Sequence, residues 1–127
     1  PSRLAARGTA RAQAAATALR LSPLDPLKYF FDSLAATALL GSGQWARSVE
    51  LSRRSIRANR THASTWRTLI YGSMMLGDEA SAQAGVAELL AIEPTYTVST
   101  FRQRFPGRNG PMAEPWAEAL KAAGLPA

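Results

Sequence analysis

The turn Gly43-Gln44-Trp45-Ala46 returns as Gly77-Asp78-Glu79-Ala80, 34 residues further on. An interval of this size constrains the fold more than anything else in the chain, because self-similarity over about 20 to 50 residues means one supersecondary unit stacked on copies of itself. The same interval carries Asp32 onto Trp66 and Arg60 onto Pro94. Helical spacing of the apolar residues says what the unit is. Trp66, Leu69, Ile70 and Met74 precede the second glycine, and Ala82, Val86 and Leu89 follow it. A helix on either side of each glycine makes each unit a helical hairpin.

Punctuation then sets the elements. An opening helix is expected over 3–21, ended by Ser22-Pro23-Leu24-Asp25-Pro26, where two prolines forbid continuation. Helices over 27–41 and 44–58 form one pair, and helices over 63–76 and 79–92 form the next. A short helix over 95–105 stops at Phe105-Pro106-Gly107, and the polar loop Arg108-Asn109-Gly110-Pro111 follows it. The last helix, 112–123, tolerates Pro115 in its first turn and ends at Gly124 and Pro126. The expected fold is all-α, an antiparallel helix-turn-helix solenoid of about seven helices in a single domain. Residues 1–23 supply a half-repeat helix, 27–60 and 61–94 two full repeats, and 95–127 a cap over the open end.

Antiparallel helices that approach closely need small residues where backbones touch and larger ones in the holes between. Ser48, Ser52, Ser55 and Ala82 fit the contacts, while Trp45, Leu51, Ile56, Trp66, Leu69 and Ile70 supply the bulk.

With Trp66, Leu69, Gly77, Ala82, Val86 and Pro94 at these spacings, the second unit resembles the tetratricopeptide repeat; the first is more degenerate, with Arg60 where proline is usual. The run Ala18-Leu19-Arg20-Leu21-Ser22-Pro23-Leu24-Asp25-Pro26-Leu27, the two glycine turns and the ending Leu120-Lys121-Ala122-Ala123-Gly124-Leu125-Pro126 resemble, over nearly the whole chain, the C-terminal tetratricopeptide region of proteobacterial class III adenylate/guanylate cyclases. Winged-helix transcriptional regulators sometimes carry the same tail. The resemblance implies a regulatory, protein-binding part of a bacterial signalling protein whose catalytic or DNA-binding domain lies upstream. The cyclase's metal-binding aspartates have no counterpart here, so no catalytic residue carries over.

Composition excludes several classes. Hydrophobic residues at 46% with charged residues at 19% are globular proportions. The longest uncharged apolar stretch, Leu34 to Leu40, falls far short of the ~20 residues of a bilayer-spanning helix. Without cysteine there is no disulfide framework or thiolate chemistry, and a reducing, cytoplasmic setting is expected. Opening at Pro1 with no initiator Met, the chain reads as a piece of a longer protein.

Chemistry-bearing patterns are sparse. Gly41-Ser42-Gly43-Gln44-Trp45-Ala46 formally fits a dinucleotide fingerprint, but that needs a strand before it, and the repeat already explains Gly43. His62 is the only histidine and reads as a surface residue near a helix start, with no companion metal ligand. Glu114 and Glu118, four apart, read as solvated. No catalytic residue, cofactor or metal is expected.

Two surfaces are candidates for binding. First helices of stacked pairs line a groove that takes an extended peptide or a helix. Phe30, Ser33 and Thr37 on the first, and Arg67, Tyr71 and Met74 on the next, are spaced to face it. Tyr71 and Met74 read equally well as packing under the neighbouring helix. The second surface is basic. Of the net +6, residues 1 to 60 hold +7, with Arg47, Arg53, Arg54, Arg57 and Arg60 on or beside the helix 44–58, expected to face outward. A protein partner or the parent's own effector domain is the first expectation and a homodimer the second. Nucleic acid comes last, because aromatics for base stacking are missing around the arginines.

Overall fold

The computed structural model describes residues 25–127, and among them the chain forms six helices and no strand: α1 (Lys28–Gly41), α2 (Trp45–Ala58), α3 (Ala63–Met75), α4 (Glu79–Ile92), α5 (Val98–Arg104) and α6 (Ala113–Ala122). The expected helix over 3–21 lies outside the described residues. The fold is all-α. Consecutive helices α1 to α4 pack antiparallel as two hairpins, α3 also packs on α1 and α2, and α6 returns to lie on α3.

The 34-residue interval is realised bond for bond. At the end of α1, Gly43 N–H donates to Leu40 O at 3.1 Å and Gln44 N–H to Leu39 O at 3.0 Å; at the end of α3, Gly77 N–H donates to Met74 O at 3.0 Å and Asp78 N–H to Ser73 O at 2.9 Å. This double closure satisfies helix carbonyls that would otherwise lack partners, and it requires a left-handed residue. Gly43 and Gly77 supply it with φ of 73° and 77°. Asp78 then starts α4 by accepting from Ser81 N–H at 3.1 Å, whereas Gln44 starts α2 with no side-chain cap.

The hairpins differ in how their helices touch. In the first, Ser48 Oγ donates to Ala36 O and Ser55 Oγ to Tyr29 O, both at 2.7 Å. In the second the equivalent sites are Ala82 and Leu89, both fully buried. One hairpin is joined by hydroxyl-to-backbone bonds and the other by apolar contact. Gly72 sets the distance between hairpins: a Cβ there would lie 2.8 Å from Val49 Cγ2, so α3 fits against α2 only without a side chain at this position.

The short helix starts at Val98, three residues later than the spacing suggests, because Thr97 caps it by accepting from Thr100 N–H at 3.1 Å. Val98 N–H in turn donates to Pro126 O at 2.8 Å, tying the chain end back onto α5. A large core runs through α3, α4, α5 and α6. Ala35, Ala36 and Leu51 form a smaller one between α1 and α2.

Candidate functional site

The six residues spaced to face a groove of first helices do not share one open surface. Ser33 and Tyr71 are buried, Thr37, Arg67 and Met74 are half-buried, and Phe30 alone is exposed, at 40%. Two causes account for this. First, α1 and α3 meet through hydroxyls: Thr65 Oγ1 donates to Ser33 Oγ at 2.9 Å, and Thr37 Oγ1 pairs with Thr68 Oγ1 at 3.1 Å. Short polar side chains hydrogen-bonded to one another let the two helices close the space between them.

Second, the cap occupies the face of α3. Trp116 lies tilted against Tyr71 at 5.4 Å, with Phe101 at 5.4 Å and Phe105 at 5.1 Å around it, and its indole N–H donates to Arg67 O at 3.1 Å. Trp45 closes the far side of Tyr71 at 5.5 Å. Of the two readings open for Tyr71, packing under a neighbouring helix is the one the structure takes, and that neighbour is α6. Burial pushes its phenol above the ordinary tyrosine range. Arg67 lies 5.2 Å over the ring of Tyr96. Burial also raises the Tyr96 phenol, an effect the Arg67 charge opposes.

The basic residues divide as well. Arg54 does not face outward. It turns onto α1 and donates to both carboxylate oxygens of Asp32 at 2.9 and 3.0 Å, and Lys28 Nζ adds a contact to Asp32 at 3.3 Å. Asp32 is 1% exposed, so this two-cation arrangement supplies the counter-charge a buried carboxylate requires. The Arg54 guanidinium is held above its ordinary range by the hydrogen bond to Asp32. A one-residue step along a helix is a turn of about 100°, which separates Arg54 from the face of Arg53 and Arg57. Arg47 is exposed and pairs with Glu50 at 3.1 Å.

Arg53, Arg57 and Arg60 do converge, with Arg60 in the turn just past the end of α2. With Ile56, Trp66 and Leu69 they line an open cleft of about 220 Å³. Its floor is apolar and its rim is basic. Arg53 donates to Ser81 Oγ on α4 at 3.0 Å, and Arg60 pairs with Glu88 on α4 at 3.1 Å. Arg60 also lies 5.6 Å over the ring of Trp66, whose indole N–H donates to Arg60 O at 2.8 Å. Helical spacing gave the arginines, but the apolar floor from α3 was not legible without the packing.

His62 sits between the rings of Tyr29 at 5.4 Å and Phe30 at 6.1 Å, with its Nδ1 2.9 Å from Thr65 Oγ1. Burial lowers its pKa below the ordinary histidine value, and the Arg67 charge lowers it further. Among the described residues no cluster of three metal-binding side chains occurs, and no helix is long and apolar enough to cross a membrane.

Comparison with protein-family models, curated proteins and solved structures finds no match.

Proposed function

We propose that this chain is a non-catalytic interaction module of the tetratricopeptide type, the regulatory C-terminal part of a cytoplasmic bacterial signalling protein of the adenylate/guanylate cyclase kind. One observation carries the reading. The 34-residue interval recurs in three dimensions as the same glycine turn with the same two hydrogen bonds, closing each of two hairpins that pack on each other. Quasi-repeated helical hairpins build extended surfaces whose side chains vary around a constant frame, and such surfaces bind polypeptide segments. A photo-crosslinking side chain placed at position 34 or 58, both exposed, should join the module to one partner polypeptide in cells, and that polypeptide, purified, should bind it at micromolar concentration. The same probe at exposed position 99 should not. Equal labelling from all three positions would contradict the proposal.

A second reading, self-association, is favoured by the apolar stripe of Leu27, just before α1, with Phe30 and Leu34 on it, which are 56%, 40% and 52% exposed. A mass that doubles with concentration in light scattering, and stays monomeric in Leu34→Glu, would support it. A monomer at all concentrations would remove it.

A further inference from the structure

Two rungs that reach α4, one from α2 and one from the turn after it, follow one rule. Arg53 meets Ser81 and Arg60 meets Glu88, each across a separation of 28 residues. The same separation counted from Arg57 falls on Gly85, between Ser81 and Glu88 on α4. Gly85 has no side chain to offer, and it cannot acquire one cheaply, since a Cβ there would lie 2.8 Å from Ile70 Cγ1. No side-chain acceptor stands at that position of α4, and Arg57 is exposed with no hydrogen-bonded or ionic partner among the described residues. Directly beside it lies the apolar floor of Ile56, Trp66 and Leu69.

We infer that this cleft is a docking site for an acidic segment of a partner protein, whose carboxylate fills the vacant rung at Arg57 while a neighbouring apolar side chain enters the cleft. An arginine fork suits a carboxylate because two N–H groups can donate in parallel to its two oxygens. The apolar floor adds a term that a bare anion cannot use. Trp66 is only 6% exposed and has Arg60 across its ring, so it offers no face on which a nucleic-acid base could stack. An acidic, leucine-bearing peptide satisfies both halves of the cleft.

This inference rests on the interaction-module reading. The test is fluorescence anisotropy with a labelled, capped heptapeptide alternating aspartate and leucine, its asparagine counterpart, and a single-stranded oligothymidine. The wild-type chain should bind the acidic peptide, Arg57→Glu should weaken it at least tenfold, and Arg57→Lys should recover part of the loss. Arg47→Glu, on the same helix but paired with Glu50, should leave it unchanged, with circular dichroism confirming that each variant is folded. Equal affinity for the asparagine peptide, equal loss in Arg47→Glu, tighter binding of the oligothymidine, or no binding at millimolar peptide would each overturn the assignment. Should the peptide fail while crosslinking at position 34 still captures a partner, the cleft assignment falls and the interaction-module reading stands. Loss of both ends both.

Discussion

Replacing Trp116 by alanine removes the anchor that holds α6 on α3. The side chain is 3% exposed and touches Tyr71, Phe101 and Phe105. A buried aromatic side chain removes about 200 Å² from water, worth about 5 kcal/mol at 25 cal/mol per Å² as an upper bound. Measured losses for such truncations run about 3 to 5 kcal/mol. Against a total stability of about 5 to 15 kcal/mol, this is a large fraction. In a domain of this size each kcal/mol moves the midpoint about 4 to 8 °C, so Trp116→Ala should melt more than about 10 °C below the parent chain. Trp116→Phe keeps a ring in the stack and loses chiefly the N–H bond to Arg67 O, about 1 kcal/mol. Thermal unfolding followed by circular dichroism, with the assigned NMR ring signals of Tyr71 reporting whether it stays shielded, separates the two. An alanine variant within about 3 °C of the parent, with Tyr71 still shielded, would refute the anchoring of the cap.

Other consequences follow from the same contacts. Asp32→Ala strands two cations, one of them 11% exposed, and should cost about 2 to 4 kcal/mol in a urea midpoint; a loss below about 1 kcal/mol would mean Arg54 and Lys28 find water easily. Ser52 is fully buried with an unpartnered hydroxyl at the site where the second hairpin carries Val86, so Ser52→Ala should be neutral or stabilising by about 1 kcal/mol in the same assay. The folded-state pKa of His62 lies below its unfolded value, so the unfolded chain takes up the proton first, and the stability present above pH 6.5 is lost as pH falls through the folded value. The melting temperature should drop from pH 7 towards pH 5, and His62→Gln should flatten that drop; an identical profile in the variant would contradict it. Deleting residues 95–127 uncovers Tyr71 and should cause aggregation, whereas a monomer with unchanged melting temperature would show the cap to be dispensable.

The helical frame was legible because its signals are local. Gly43, Gly77, Pro94 and the serine and alanine contact sites sit at fixed intervals, and the observed helices start and end within a residue or two of the expected bounds, apart from the delayed start at Val98. The surfaces were less legible because they depend on contacts across long separations. Trp116 reaches Arg67 across 49 residues from a segment that departs from the repeat, so no period could place it over Tyr71. Asp32 occupies the position of Trp66 in the first unit, and only the arrival of Arg54 from α2 explains a charge there. Arg53 and Arg57 were legible as one side of α2 from their spacing, while the lack of a partner at Arg57 shows only once the α4 partners of Arg53 and Arg60 are known.

The most direct test of where this protein binds is a backbone amide shift map of the isotope-labelled chain titrated with the aspartate–leucine peptide. Shifts should concentrate at Arg53, Ile56, Arg57, Arg60, Trp66, Leu69 and Gly85, with Tyr71 and Trp116 unmoved. Shifts centred instead on Phe30, Thr37, Tyr71 and Met74, with release of Trp116, would mean that the cap opens and that the groove of first helices is the binding surface.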